Sequence, residues 1–211
     1  LGNPLTTDDW VAVFNGDICV GSRQWDLSLC NSGICDVPAM GDAGEIDGYN
    51  IVGVIEGTDD QLKNEFIILG GHYDHIGKGK TVEGDSIANG ANDDASGTIA
   101  AMEFGRYFSK SKSNKRSILI TLYDAEEMGL KGSQAYADHI SNESKEKAIT
   151  ILNVDTIRSP EHFNIIEAEH NPFTFYDKSL IKEFEKAFIK ESVPYKVSAI
   201  GIGATDGTSF Y

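Results

Sequence analysis

Long hydrophobic runs and basic side chains are both scarce in the sequence. No stretch of apolar residues approaches the roughly 20 that a membrane-spanning helix needs, so we expect no membrane insertion. Only 18 Lys and Arg side chains stand against 33 Asp and Glu, which gives a formal net charge of -15. Such a charge repels phosphate backbones and argues against nucleic acid as a partner. With 40% hydrophobic and 24% charged residues, the composition otherwise predicts a soluble, folded protein.

Cysteine is equally sparse, and Cys19, Cys30 and Cys35 all fall near the start of the chain. In an oxidising compartment, Cys30 and Cys35 could close a short disulfide loop, and Cys19 could pair with either, so the pairing stays open. A zinc site built from these three thiols is disfavoured because a fourth ligand is not nearby. Residues 1–10 lack the basic start and the apolar stretch of a signal peptide, so we expect any exported form to be a mature chain or a fragment.

Two segments of different composition meet near residue 49. Over residues 8–49, apolar and polar residues alternate in DWVAVFNGDICVGS around an Asn-Gly pair, which predicts a β-hairpin. We therefore expect residues 1–49 to form a small β-rich segment. From residue 50 onward, apolar β-branched runs alternate with helical patterns. This alternation predicts an α/β fold over residues 50–211, a three-layer α/β/α sandwich with a mostly parallel central sheet.

Four apolar runs predict buried strands of that sheet: NIVGVI, EFIILGG, RSILITLYD and AITILNVDTI. Helices are predicted over residues 95–109 and from residue 126 to about residue 139, and apolar residues at helical spacing between Leu180 and Phe188 predict a third. A last strand is predicted near residues 197–200. Because ligands collect at the carboxyl ends of parallel strands, the side chains that follow these runs are the candidates for function.

Imidazole and carboxylate side chains follow the predicted strands. His72 comes directly after FIILGG, and Asp74 would lie on the same face of an extended chain, where it can accept the proton of the second imidazole nitrogen. Asp93 and Asp94 are adjacent carboxylates in a Gly-rich loop before a helix, which is unfavourable unless something neutralises them. Capping of the helix by Asp94 or Ser96 is an alternative that can hold at the same time.

Three further acidic residues lie at or near the ends of predicted strands, as His72 does. Glu126 and Glu127 follow SILITLYD, although the macrodipole alone also favours acidic residues at a helix start. Asp155 lies in ILNVDTI, where a buried carboxylate is expensive unless it is paired or bound to a metal. Together these side chains predict a site of nitrogen and oxygen ligands without thiolate. Such a site suits zinc, and manganese or cobalt less well.

Over residues 50–211 the sequence resembles the secreted di-zinc aminopeptidases, relatives of the bacterial leucyl aminopeptidases that also include glutamate carboxypeptidases and glutaminyl cyclases. The resemblance rests on GGHYDH, GANDDASG, YDAEEMGLKGS and NVD, in the family's order and at family-like spacing. It implies two zinc ions. His72 and Asp155 would bind one ion, Glu127 would bind the other, and Asp93 would bind both.

The resemblance also implies a reaction and a substrate. Glu126 would be the general base that activates a metal-bound water, and Asp74 would orient the metal-binding histidine. The peptide bond between Asp93 and Asp94 would be cis. The implied activity is that of an aminopeptidase, which hydrolyses the N-terminal peptide bond of peptides or proteins, in a protein that is secreted or held in the cell envelope.

One ligand of the family's pattern is missing. Many relatives have a histidine in a Ser-Asp-His segment, whereas GATDGTSFY has Gly207 in that place. Other relatives supply this histidine from a later loop, but the sequence stops at Tyr211. We therefore expect a domain truncated at its carboxyl end. Without this ligand, one or both zinc ions could be absent. A glutaminyl cyclase is an alternative that DDASG disfavours. A non-catalytic member is another, favoured by the missing histidine and disfavoured by Glu126.

Overall fold

A largely parallel sheet lies at the centre of the described part of the chain. The computed structural model describes residues 10–15, 18–24, 48–142, 147–157, 159–170 and 173–211. The strands are, in chain order, β1 (Trp10–Asn15), β2 (Ile18–Gln24), β3 (Ile51–Ile55), β4 (Glu65–His72), β5 (Lys78–Val82), β6 (Asp85–Ile87), β7 (Ser117–Tyr123), β8 (Lys147–Asn153), β9 (Asn164–His170), β10 (Phe173–Phe175) and β11 (Lys196–Ile200). The helices are α1 (Ala95–Ser111), α2 (Lys131–Asn142), α3 (Lys178–Lys190) and two 3-10 helices, Pro160–His162 and Asp206–Phe210.

The central sheet has the strand order β3-β7-β4-β8. β4 is parallel to both β7 and β8, while β3 lies antiparallel to β7 at one edge. His72, the last residue of β4, pairs with Tyr123, the last residue of β7, and Gly70 pairs with Asn153, the last residue of β8. The carboxyl ends of three neighbouring strands therefore meet at one edge of the sheet.

Burial explains why the central strands are continuous apolar runs. All seven residues of β7 are buried, and β4 is buried from Ile68 to His72. α1 packs against β4 and β7, and the residues it buries are small. The core cluster consists of Ile55, Leu69, Ala101, Ile118, Ile120 and Leu122. The predicted α/β fold with a mostly parallel central sheet is confirmed.

A second sheet, of strand order β10-β9-β11, was not predicted in full. β9 is parallel to β11 and antiparallel to β10, and α3 packs against β9. The sequence predicted β11 but neither β9 nor β10, because charged residues interrupt the apolar residues of NIIEAEH. One of them, Glu169, is only 1% exposed. It accepts hydrogen bonds from the Tyr176 hydroxyl at 2.8 Å and the Thr205 amide at 2.7 Å, so it fixes the loop before the last 3-10 helix.

Two predicted boundaries differ from the structure beside the candidate site. α2 begins at Lys131 rather than Glu126, because a turn comes first in which the Leu130 amide donates to the Glu126 carbonyl oxygen at 2.9 Å. Leu130 has a left-handed φ of 61°. β8 ends at Asn153, so Asp155 lies just beyond the strand rather than within it. The acidic side chains therefore stand in loops at the ends of the regular elements.

Three expectations concern features other than the central sheet. The predicted hairpin is confirmed in its strands, since β1 and β2 pair in antiparallel fashion with Asn15 opposite Ile18. Residues 25–47 lie outside the described residues, and with them the predicted loop between Cys30 and Cys35. Among the described residues, every helix falls short of the length and apolar character that crossing a bilayer would require.

Candidate metal centre

The carboxyl edge of the central sheet collects the side chains that the sequence singled out. His72 ends β4, and Asp155 lies two residues after the end of β8. Glu126 and Glu127 occupy the turn between β7 and α2, and Asp93 lies just before α1. The parallel topology therefore brings residues from distant parts of the sequence to one edge, as predicted from the strand pattern.

Two groups of potential metal ligands share one carboxylate. In the strand-end cluster, His72, Asp93 and Asp155 each offer a ligand atom, and these atoms lie within 4.8 Å of one another. In the loop cluster, His75, Asp93 and Glu127 meet the same condition. Asp93 therefore stands between two possible ion positions. The metal-binding roles of these residues stay predictions, but the structure places all four predicted ligands at one site.

The orientation of His72 leaves one ring nitrogen facing another predicted ligand, Asp93. Its Nε2 atom lies 3.1 Å from Asp93 Oδ1. Its Nδ1 atom lies 3.1 Å from the carbonyl oxygen of Asp74 and 3.5 Å from the Asp74 carboxylate. Oxygen atoms next to Nδ1 favour the tautomer with the proton on Nδ1, which leaves the Nε2 lone pair available for a metal.

Asp74 also joins the segment after β4 to the segment after β7. Its Oδ1 atom accepts a hydrogen bond from the Glu126 amide at 3.0 Å, and Oδ2 accepts one from the Glu127 amide at 3.2 Å. The sequence predicted a contact with His72 but not these two bonds, because they depend on the turn before α2. Asp74 thus fixes the backbone that carries both glutamates while it faces the histidine.

Asp94 lies behind the strand-end cluster, and its peptide bond with Asp93 is cis, as the resemblance implied. Its Oδ1 atom accepts hydrogen bonds from the Gly97 amide and from the Thr156 amide, each at 2.9 Å. Through the bond from Gly97, Asp94 caps the amino end of α1 as predicted. Oδ2 is buried and has no hydrogen-bond partner among the described residues. Burial raises the pKa of Asp94 to about 7, and the Asp155 carboxylate adds to the rise. The hydrogen bonds from Thr156 and Gly97 lower this pKa but do not cancel the effect of burial.

The approach of the chain segments is closest at Gly71. A Cβ atom on residue 71 would lie 2.6 Å from the Val154 carbonyl oxygen and 2.8 Å from Asp94 Oδ2. Any side chain there would therefore push apart the segments that carry His72, Asp94 and Asp155. Glycine at this position therefore allows these segments to pack against one another.

Negative charge exceeds positive charge around His72. Burial raises the pKa of Glu126 to about 7, and the carboxylates of Asp206 and Asp155 add to the rise although His72 opposes it. Burial lowers the pKa of His72, but the surrounding carboxylates, Glu126 first among them, raise it overall. Several partly buried carboxylates around one imidazole are unfavourable unless a cation neutralises them. The distribution of charge therefore fits a divalent metal ion.

Asp206 is a buried carboxylate that the sequence analysis missed. It starts the last 3-10 helix and is 0% exposed. Within the described part of the chain, neither carboxylate oxygen has a hydrogen-bond partner, although the Ser133 hydroxyl, which donates to the Leu130 carbonyl oxygen at 3.2 Å, lies nearby. Burial raises the pKa of Asp206 to about 6, although the Ser133 hydroxyl opposes the rise. Its place directly before Gly207, in the segment compared with Ser-Asp-His, was the available signal.

His75 is the second residue that the sequence analysis missed. It lies within GGHYDH, but alternation in an extended chain puts His72 and Asp74 on one face and His75 on the other. In the structure β4 ends at His72, so this alternation stops, and His75 Nδ1 lies 2.6 Å from Glu127 Oε1. The irregular segment that follows β4 thus places a second histidine at the site.

The donor atoms present suit zinc. Imidazole nitrogen and carboxylate oxygen bind zinc at about 2.0–2.2 Å, and atoms within 4.8 Å of one another can surround a common ion. Several buried polar atoms at the site lack a hydrogen-bond partner in the described ranges: Asp94 Oδ2, His75 Nδ1 and both carboxylate oxygens of Asp206. A cation with its water would satisfy such atoms, so the residues fit the ion that the ligand types predict.

Two fungal proteins are similar to the chain in sequence. Leucine aminopeptidase 2 of Arthroderma otae is 29% identical over 167 residues, which cover 77% of this chain and 31% of that protein. A probable zinc metalloprotease of Pyrenophora tritici-repentis is 34% identical over 107 residues, which cover 51% of this chain and 24% of that protein. The chain thus spans less than a third of the length of either relative.

A solved structure and a protein family also match. The crystal structure of Legionella pneumophila LapA aminopeptidase aligns with a TM-score of 0.59 and 26% identity, over 76% of this chain and 41% of that chain. Residues 50–211 match peptidase family M28, and this match includes the central sheet and both ligand clusters. The chain therefore belongs to peptidase family M28.

Proposed function

We propose that the chain carries the catalytic centre of a zinc aminopeptidase that hydrolyses the N-terminal peptide bond of peptides. The observation that carries the proposal is the shared carboxylate of Asp93, which belongs to two ligand clusters at once. His72, Asp93 and Asp155 would hold one zinc ion, and Asp93 and Glu127 would contribute to holding a second. When bound, zinc polarises the scissile carbonyl group and makes a water molecule more acidic.

Glu126 is the proposed general base. Its Oε2 atom lies 3.9 Å from His72 Nε2, close to the strand-end cluster, yet Glu126 belongs to neither ligand cluster. Its carboxylate is therefore left to exchange protons. The side chain is 15% exposed, and its backbone amide is held by Asp74, so it faces the site in a fixed position. It would take a proton from the attacking water and return that proton to the leaving amine.

An acidic cleft beside the base supports specificity for a free amino terminus. Glu126 and Glu127 line this cleft together with Gly129, Leu130 and Ala204. The carboxylates attract a protonated α-amino group, whereas an N-acetylated peptide has no charge at that position. An exopeptidase that works from the amino terminus needs this distinction.

The test compares two substrates on the zinc-loaded chain. Leucine p-nitroanilide should release p-nitroaniline, and its N-acetyl derivative should not. Glu126→Gln should bind zinc but fail to release product, while the matched variant Glu103→Gln should stay active, because Glu103 is an exposed partner of Arg106 on α1. Equal hydrolysis of the acetylated substrate would overturn the proposed specificity.

Two other outcomes would replace the proposal with its alternatives. Conversion of an N-terminal glutaminyl peptide to its cyclic product, without release of p-nitroaniline, would identify a cyclase. Zinc binding without turnover of either substrate would identify a non-catalytic member of the family.

We further propose that the protein acts outside the cytoplasm, either secreted or in the cell envelope. The support is the spacing of Cys30 and Cys35, which suits a short disulfide loop in an oxidising compartment. Peptide mapping of the natively produced protein under non-reducing conditions should find that crosslink or one to Cys19. Three reduced thiols would contradict the proposed location.

A further inference from the structure

The hairpin formed by β5 and β6 lies between two segments of the loop cluster and has no part in the reaction proposed above. It starts shortly after His75 and ends shortly before Asp93. We propose that this hairpin binds the portion of the peptide that leaves after hydrolysis and favours peptides with a carboxylate in that portion. The inference rests on the proposed aminopeptidase function and names the class of peptide that the site prefers.

Both ends of the hairpin are fixed at the loop cluster. A Cβ atom on Gly90 would lie 3.0 Å from His75 Cβ and 3.1 Å from the Asp93 carbonyl oxygen, so the segment that leaves the hairpin packs against the segment that enters it. The Ala88 amide donates a hydrogen bond to the Gly77 carbonyl oxygen at 2.8 Å, which closes the base of the hairpin. The two strands therefore begin and end beside the candidate metal centre.

The far end of the hairpin is a regular two-residue turn. Val82 pairs with Asp85, and the residues between them, Glu83 and Gly84, have left-handed φ angles of 51° and 90°. Left-handed residues at both central positions give the turn that matches the twist of two paired strands. The sequence of the turn thus keeps the hairpin in one conformation.

One face of the hairpin combines positive charge with uncovered apolar side chains. Lys78 pairs with Ile87 and Val82 pairs with Asp85, and residues that pair across two strands share a face. Val82 is 67% exposed and Ile87 is 56% exposed, so the described part of the chain leaves most of both side chains in water. A two-stranded hairpin gains little stability on its own, and a peptide that covers this face would stabilise it.

The lysines lie within reach of a peptide bound at the metal centre. Lys78 and Lys80 follow His75 by three and five residues, so their Cα atoms lie at most about 11 Å and about 18 Å from that of His75, at about 3.6 Å per residue. All five residues of β5 are exposed, so both ammonium groups are accessible to a ligand. Because an extended peptide advances about 3.3 Å per residue, the lysines can meet a carboxylate on the first three residues after the scissile bond.

The acidic residues of the hairpin lie at its far end. Glu83 is in the turn, and Asp85 beside it accepts hydrogen bonds from the Ile87 amide at 2.8 Å and the Asn89 side chain at 3.1 Å. Positive charge therefore stands at the base of the hairpin, although the chain has a formal net charge of -15. The acidic cleft at Glu126 attracts the amino terminus of a peptide, and the lysines complement it by attracting a carboxylate further along.

The experiment compares two peptides that differ by one charge, Leu-Gly-Asp amide and Leu-Gly-Asn amide. Calorimetry on the zinc-loaded Glu126→Gln variant measures binding without turnover, and steady-state kinetics on the zinc-loaded unaltered chain measure hydrolysis. The aspartate peptide should have the lower dissociation constant and the lower KM, each by about 2- to 30-fold, which is the range expected of two exposed ion pairs. The two peptides should have similar kcat values, because the hairpin does not touch the reacting atoms.

Variants assign the preference to the hairpin. Lys78→Gln combined with Lys80→Gln should bring the ratio of the two KM values close to one, and Lys78→Glu combined with Lys80→Glu should reverse it. The control combines Lys178→Gln with Lys182→Gln, which removes two exposed lysines from α3 and should keep the preference. Because the ratio is taken within each variant, a general loss of zinc or of stability does not imitate the expected change.

The outcomes separate this inference from the proposed function. Equal KM values for the two peptides in the unaltered chain would overturn the role of the hairpin and leave the aminopeptidase standing. A preference for the aspartate peptide that survives in the Lys78→Glu and Lys80→Glu double variant would do the same. Tighter binding of the aspartate peptide that depends on the two lysines, without hydrolysis of either peptide, would overturn the proposed function and keep the hairpin as a peptide-binding surface.

Discussion

The strand-end cluster and the loop cluster share Asp93, but they are built in different ways. In the strand-end cluster, His72 is 1% exposed and its Nδ1 atom faces the oxygen atoms of Asp74. In the loop cluster, the His75 side chain is 22% exposed and its Nδ1 atom has no hydrogen-bond partner in the described part of the chain. Parallel strands thus position a buried histidine by their own pairing, whereas a histidine in a loop depends on neighbouring loops for its position.

Glu126→Gln should have the largest effect, because Glu126 lies beside the strand-end cluster but belongs to neither cluster. Loss of the base should lower kcat about 10²- to 10⁴-fold. Zinc stoichiometry should not change, since no ligand is removed. Steady-state kinetics and a zinc titration on the same sample check both parts. A variant with lost zinc would place Glu126 among the ligands and remove the distinction between base and clusters.

Asp155→Ala breaks the strand-end cluster and leaves every side chain of the loop cluster in place. The affinity of the first zinc site should fall by more than about 100-fold, beyond the loss typical of residues behind a ligand. The first ion is expected to be the tighter one because its ligands include a fully buried histidine. Calorimetric titration measures the change. Unchanged binding would refute the assignment of Asp155.

Asp74→Asn should weaken both clusters together. One oxygen atom that now accepts a hydrogen bond from the Glu126 or Glu127 amide would become an NH₂ group, which cannot accept it. Zinc affinity should fall about 10- to 100-fold at both sites, as is typical when the residue behind a ligand changes. An effect confined to one zinc site would show that Asp74 supports only one of the two clusters.

Gly71→Ala should have the smallest effect and act through packing. The new Cβ atom would meet the Val154 carbonyl oxygen at 2.6 Å, so we expect a loss of about 1–3 kcal/mol in the free energy of unfolding. Gly53→Ala is the matched control within the same sheet, because a Cβ atom there meets nothing within 4 Å. Chemical denaturation of the two variants measures the difference. Equal stability would show that the strand ends can relax.

The strand pattern predicted most of the fold. The four apolar runs are the central strands, and their alternation with helical patterns predicts a mostly parallel sheet whose strand ends meet at one edge. His72 and Asp155 followed from that edge, since they stand at or just beyond strand ends, and Asp93 followed from the paired carboxylates before a helix. His75 and Asp206 did not follow. His75 reaches the site only because the regular strand ends at His72, and Asp206 is buried by contacts with segments distant in sequence. The strand β9 was missed because a glutamate within a strand usually indicates an exposed position. Glu169 is buried instead, because its carboxylate accepts hydrogen bonds from Tyr176 and Thr205.

Crystals of the chain grown with zinc and measured at the zinc absorption edge would test the central claim most directly. The account predicts one anomalous peak in contact with His72 and Asp155 and a second in contact with Glu127, with Asp93 touching both. A crystal with zinc bound elsewhere and no peak between His72 and Asp155 would contradict it.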